Sequence, residues 1–231
     1  IKTFNWIGTL WGSSIRFTVP MLFALGFVSL FVSGGLSGLF LAQPAVDQPL
    51  HDTYFVVAHF HLIMGVAAIF GMFAGVYFWF PKMFGRMMNQ TLGKIHFWIT
   101  FIGVYAIFMP MHFMGMAGQP RRYADGQTFA FLADMQPVQT FITYAAFLTA
   151  AVQLIFLLNI VMSLLRKKTG EVNPWEATTL EWSVPSPPPH DNFAGQSPKV
   201  YRGPYEFSVP GATEDYVPQQ VAPVKATGQG D

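Results

Sequence analysis

The residues predict an all-α membrane protein: four transmembrane helices followed by an irregular C-terminal tail. Three observations carry this. Of 231 residues, 52% are hydrophobic and only 11% charged, where a soluble domain carries about a quarter. Four stretches free of Asp, Glu, Lys and Arg run from about Phe17 to Leu41, Thr53 to Phe80, Ile95 to Met116 and Met135 to Leu165, each at or beyond the roughly 20 residues a helix needs to cross the hydrocarbon core. After Lys168 the composition turns to Pro, Ser, Asp, Gln and Gly.

Each stretch is rich in Gly, Ala, Met and Phe without polar alternation, which favours helices over a barrel. The expected division is 1–168 in the membrane and 169–231 as an extramembrane Pro-rich tail, ordered to about Phe193 and extended or disordered beyond. Arg16, the group Lys82, Arg86 and Lys94, and Arg166-Lys167-Lys168 flank the spans on one side. By the positive-inside rule that side is cytoplasmic, or matrix in a mitochondrion. The connection with Asp47, His51 and Asp52 then lies outside, with Arg121-Arg122. A net charge of +1 makes no case for nucleic acid. Without cysteine there is neither a disulfide framework nor a thiolate metal site. The chain opens without Met or a signal peptide, and is expected to be a piece of a longer polytopic protein.

The second stretch opens on His51-Asp52-Thr53-Tyr54 and continues through His59-Phe60-His61. Helical residues turn about 100° each, so His59 and His61 project to nearly opposite faces and cannot easily share one metal. They suit two centres, one on each side of the helix, and imidazole is a usual ligand of haem iron. Hydrogen-bonded packing histidines fit the same spacing, although ionisable groups at membrane depth are costly and usually functional. Arg121-Arg122 reads either as a solvated loop pair or as cations facing buried anions beside the histidines, since guanidinium forks match carboxylates. Asp47, His51 and Asp52 read as a polar turn with an N-cap for the second helix. Ser33-Gly34-Gly35-Leu36-Ser37-Gly38 reads first as close helix packing. Lys2 reads as a flanking charge, His96 and His112 as structural, and His190 carries no signal.

His51-Asp52-Thr53-Tyr54, His59-Phe60-His61 and Pro120-Arg121-Arg122-Tyr123, in this order and spacing, resemble the C-terminal third of subunit I of the haem-copper terminal oxidases of the cytochrome c oxidase type. The resemblance runs from Ile1-Lys2-Thr3-Phe4 through Thr179-Leu180-Glu181-Trp182 and Ser186-Pro187-Pro188-Pro189. It implies that the four spans are the last four of a twelve-helix bundle, and that the whole subunit reduces O₂ to water while pumping protons. His59 would bind the high-spin haem and His61 the low-spin haem. Arg121, Arg122 and Asp47 would hold haem propionates, and His51 and Asp52 a magnesium ion. A carbonyl near Gly34 would accept the second nitrogen of His59, and Lys2 would serve a proton pathway. Haem A is implied, with a copper ion, CuB, whose ligands fall outside this chain. The implied partners are subunits II and III, cytochrome c, O₂ and membrane lipid, in a bacterial inner membrane rather than a mitochondrial one. Leu62, Phe55, Met111 and Gly65 depart from the commonest family residues, which leaves haem A against haem O or B open. A quinol oxidase subunit I is the near alternative; a non-catalytic membrane bundle or transporter segment is the reading from a different class.

Overall fold

The computed structural model describes residues 1–125, 128–168 and 171–222. Four helices are long and apolar enough to cross a membrane: Val19–Leu41, Tyr54–Phe84, Gln90–Met116 and Ala130–Leu165. The chain is an all-helical integral membrane protein, and no named strand occurs among the described residues. In order the helices are α1 (Lys2–Leu10), α2 (Val19–Leu41), α3 (Pro44–Leu50), α4 (Tyr54–Phe60), α5 (Ala67–Phe84), α6 (Gln90–Met116) and α7 (Gln136–Leu165). A π-helical turn, His61–Val66, joins α4 to α5, and a 3₁₀ turn, Ala130–Met135, leads into α7.

Three span boundaries differ from the hydropathy reading, the fourth span beginning at Ala130 with its 3₁₀ turn rather than at Met135. The third begins at Gln90 because Asn89 caps it, its side chain accepting from the Leu92 amide at 3.0 Å, which satisfies an otherwise orphan N–H. The second continues through Pro81 to Phe84. The expected α-helical phase also breaks at His61, where the π turn widens the helix in a manner common at functional sites.

The chain forms two compact units. The first comprises 1–78 and 89–161. Its core centres on Phe23, whose ring lies 5.1 to 5.7 Å from those of Phe70, Phe73, Tyr77, His96 and Phe97. Small residues set the helix approaches. A Cβ on Gly26 would meet Phe70 at 2.7 Å, one on Gly34 would meet Leu62 at 2.8 Å and the Ile63 amide at 2.9 Å, and one on Gly115 would overlap the Phe55 amide. Close packing was the expected use of the Ser33–Gly38 run, and Gly34 serves it.

Several buried polar groups in this unit are paired. Gln153 donates to Thr100 and to the Thr149 carbonyl, so its oxygen accepts from His96 Nε2 at 3.0 Å, and His96 Nδ1 accepts from Tyr77 at 3.3 Å. Asn159 exchanges hydrogen bonds with the Asn89 backbone at 2.9 and 3.0 Å. Tyr105 binds Ser29 and Ser33 at 2.8 and 3.0 Å, tying α6 to α2. His96 is thus a packing residue with both nitrogens engaged, as expected.

The second unit comprises 79–88 and 162 onward. Lys82, expected as a charge flanking the second span, is instead buried at 7% exposure. Its ammonium donates to the Val184 carbonyl at 2.7 Å and the Val172 carbonyl at 3.4 Å, and sits 5.1 Å from the centre of the Trp182 ring, within cation–π range. Gly85, at φ +64°, lies where a Cβ would meet the Ser186 carbonyl at 2.6 Å.

The tail beyond Phe193 corrects the expectation of an extended or disordered segment. Through residue 222 it folds back on itself. The Gln219 amide donates to the Thr178 carbonyl at 3.1 Å, Tyr201 to Gln219 at 2.9 Å and Val217 to Glu206 at 3.0 Å. The Thr178 hydroxyl donates to the Pro204 carbonyl, and Arg202 pairs with Glu206. Composition reads polar segments as unable to bury enough apolar surface; here backbone pairing at separated points supplies order instead.

Lys82→Ala removes the donor shared by the Val172 and Val184 carbonyls. Charge-assisted hydrogen bonds contribute about 1.5–3 kcal/mol, so limited proteolysis within 172–184 is expected to accelerate on the order of ten-fold or more. An unchanged cleavage rate would show that the ammonium does not hold this segment.

Candidate functional site

The site is built at the entry to α4. Thr53 caps this helix: its hydroxyl donates to the Leu50 carbonyl at 2.6 Å and accepts from the Phe55 amide at 3.2 Å. The Tyr54 amide donates to the Gln119 carbonyl, and the Arg121 amide to the Asp52 carbonyl, both at 2.9 Å. These bonds bring the loop after α6 to the end of the helix that carries the histidines. Asp52 at φ +57° and Arg122 at φ +71° both occupy the left-handed region, which non-glycine residues hold only when their surroundings over-determine it.

His59 faces α2. Its Nδ1 is 2.8 Å from the Gly34 carbonyl oxygen and 3.0 Å from Ser37 Oγ. A Cβ on Gly38 would meet His59 Cε1 at 2.7 Å, so the ring lies directly on the α2 surface. His61 faces elsewhere: its ring stacks on Phe108 of α6 at 4.8 Å and 14°, and its Nδ1 donates to the Val57 carbonyl at 2.8 Å. A carbonyl only accepts, so both Nδ1 atoms carry the hydrogen, and in the neutral ring Nε2 is then the nitrogen with the lone pair. Neither Nε2 has a hydrogen-bond partner among the described residues. Two imidazoles with Nδ1 held as donor, their rings resting on different helices, each present Nε2 as the nitrogen that could bind metal.

His112 repeats the pattern. It is 8% exposed, its Nδ1 donates to the Phe108 carbonyl at 3.1 Å, and its Nε2 is buried without a partner. It packs edge-on against Phe55 at 4.9 Å. Reading it as structural from sequence missed this orphan nitrogen, which only the packing around the α4 entry reveals.

Around the helix entry, His51 Nδ1 is 3.4 Å from Asp47 Oδ2 and its Nε2 is 3.9 Å from Asp52 Oδ2. Arg121 grips Asp52 through Nε at 2.6 Å and through Nη2, while Arg122 is exposed. The hydrogen bond from Arg121 holds the Asp52 carboxyl below its ordinary range, desolvation opposes it, and the charges of Arg121, His51 and Arg122 add smaller amounts to the lowering. A depressed folded-state value contributes stability that is present above the unfolded pKa of about 3.9 and lost as pH falls through the lower folded value. The Asp52–Arg121 pair is therefore expected to stay ionised at pH about 4 and to open only in stronger acid. Infrared titration of the carboxyl band, with Asp52→Asn as the blank, checks this; protonation at the ordinary value would refute it.

Lys2 starts α1, exposed and without a hydrogen-bond or ion-pair partner among the described residues. Asp47 lies on α3, its Oδ2 3.4 Å from His51 Nδ1. No cluster of three or more His, Asp or Glu able to hold a metal ion occurs among the described residues. His51 and Asp52 lie side by side, and the Asp52 carboxylate is bound by Arg121.

Comparison with known proteins decides the family. The model described as "Cytochrome C and Quinol oxidase polypeptide I" matches residues 1–148. The chain belongs to this oxidase family. All nine predicted site residues lie inside the match. The alternative cytochrome c oxidase subunit 1 of Bradyrhizobium diazoefficiens is 51% identical over 232 residues, covering 100% of this chain and 39% of that protein. Cytochrome c oxidase subunit 1 of a Synechocystis strain is 45% identical, covering 90% of this chain and 37% of the relative. That of Cereibacter sphaeroides is 45% identical, covering 86% and 35%. The chain thus spans less than two fifths of each of these oxidase subunits. In fold it matches a heme-copper terminal oxidase dimer solved by cryo-EM, with a TM-score of 0.58 at 17% identity, over 73% of this chain and 32% of that one.

Proposed function

We propose that this chain is part of the catalytic subunit of a proton-pumping terminal oxidase, carrying one axial histidine for each of two haems, and that the complete complex reduces O₂ to water with electrons from cytochrome c. One observation carries the reading: His59 and His61 both have Nδ1 tied to a backbone carbonyl, leaving two Nε2 lone pairs on one helix. Outer hydrogen bonds of this kind fix the tautomer of metal-binding histidines. His59 is assigned to the high-spin haem and His61 to the low-spin haem. The haems, read as haem A, supply electron transfer and oxygen chemistry when bound; CuB takes its ligands from outside this chain.

The remaining residues work around that pair. The Gly34 carbonyl orients His59. Arg121, Arg122 and Asp47 are assigned to haem propionates; Arg121 already grips one carboxylate, that of Asp52. His51 and Asp52 are assigned to magnesium as a partial ligand set, since that ion keeps several waters and takes only one or two protein carboxylates. Lys2 is assigned to proton uptake. Residues 1–168 form the membrane part and 169–231 the extramembrane tail, within a complex with subunits II and III in a bacterial inner membrane among its lipids, with no nucleic-acid role.

The relatives' names favour cytochrome c over quinol as donor. Pyridine haemochrome analysis of the full-length subunit is expected to give two haems. An oxygen electrode is expected to show uptake with reduced cytochrome c and not with quinol. A haem-free protein would return the chain to a non-catalytic bundle, and uptake with quinol alone would reassign the donor.

A further inference from the structure

Ser37 stands one turn beyond Gly34 on α2 and is buried at 7% exposure. Its Oγ lies 2.6 Å from the Gly34 carbonyl oxygen and 3.0 Å from His59 Nδ1, while that nitrogen lies 2.8 Å from the same carbonyl. The three atoms close a triangle with one consistent proton arrangement. If Ser37 donated to Nδ1, the nitrogen would turn a lone pair toward the Gly34 carbonyl at hydrogen-bond distance, which is repulsive. The serine proton therefore goes to Gly34, and His59 Nδ1–H is shared between the carbonyl and Ser37 Oγ. A helical serine often bonds back to a carbonyl one turn earlier, which explains its distance to Gly34 but not an imidazole nitrogen held at 3.0 Å. Gly38 lies against Cε1 of the same ring, so α2 constrains the ring from two adjacent positions.

We propose that Ser37 is a positioning residue for His59, its hydroxyl oxygen serving as second acceptor of Nδ1–H. It fixes the rotation of the imidazole and increases electron donation through Nε2. The proposal rests on His59 being the axial ligand of the high-spin haem. Acceptors on the distal nitrogen raise the basicity of a histidine ligand, and axial-ligand electronics set haem potential.

The test uses the assembled oxidase carrying the full-length subunit. Ser37→Ala is expected to keep both haems by pyridine haemochrome. The iron–histidine stretching band of the reduced high-spin haem should shift to lower frequency in resonance Raman, and the midpoint potential of that haem should rise. Ser37→Thr, which keeps Oγ, is expected to restore the wild-type band. If Ser37→Ala does not assemble, Ser37→Cys, whose sulfur is a weak acceptor, takes its place and is expected to give a smaller shift in the same direction. A wild-type band in the Ala or Cys variant would leave Ser37 as a helix back-bond only and overturn the proposal. His59→Ala separates the underlying reading: if that variant keeps the high-spin haem, the ligand assignment has failed, whatever Ser37 does.

Discussion

Replacing His61 with alanine in the full-length subunit is expected to remove one haem and leave the other. Haemochrome stoichiometry should fall from two to one, with the low-spin absorption lost and oxygen uptake reduced to background. The effect is large because an axial ligand is one of the few bonds holding the group, and Phe108 and Phe60, which flank the His61 ring, cannot ligate in its place. His59→Ala should instead remove the high-spin haem, since its ring rests on α2 rather than α6. His96→Ala is the contrasting control. Both its nitrogens are already bonded, to Tyr77 and Gln153, so that variant should lose stability but keep two haems. Equal haem content in the His61 and His96 variants would break the assignment of one iron to each face of the helix.

Gly115→Ala is expected to be the most destabilising single methyl addition at the α4–α6 crossing. The new Cβ would overlap the Phe55 amide nitrogen and sit 2.6 Å from Phe55 Cβ and 2.7 Å from its Cα. That backbone has little freedom to retreat: Tyr54 bonds to Gln119, Arg121 to Asp52, and Thr53 caps the helix. Overpacking in a closed core costs typically 1–3 kcal/mol, and contact with backbone puts this site near about 3. The thermal midpoint of the detergent-purified subunit should drop, with lower yield. Gly71→Ala, whose Cβ would meet only Phe27 at an ordinary 3.9 Å, should be neutral or stabilising by about 0.5–1 kcal/mol through helix propensity. Equal midpoints in the two variants would show that the crossing has slack the packing does not suggest.

The spans and the histidine pair were legible in the residues for a shared reason. Apolar length and angular spacing along a helix are local quantities, summed over neighbours in the chain. Val19–Leu41, and Tyr54–Phe84 as far as Phe80, therefore lie where an absence of charge placed them, and His59 and His61 meet different helices because two residues turn a helix through about 200°. Asn89 moved one boundary outward by capping, a signal present in the residues but weaker than hydropathy.

What tertiary structure decided is which partner each polar atom finds. The Nδ1 of His59 bonds to a carbonyl 25 residues away on α2; Asp52 meets Arg121 across 69 residues; and Lys82, read as a flanking charge, is buried against carbonyls about 90 and 100 residues downstream. Such pairings depend on helix approaches set by Gly34, Gly38 and Gly115, and on a tail whose order comes from backbone contacts such as Thr178 to Gln219. Local composition decides that a segment enters the membrane, because transfer from water is additive along the chain. Hydrogen bonds last only within about 3 Å, so the bond from His59 Nδ1 to the Gly34 carbonyl exists only once the two helices have met, whereas that of His61 stays within its own helix.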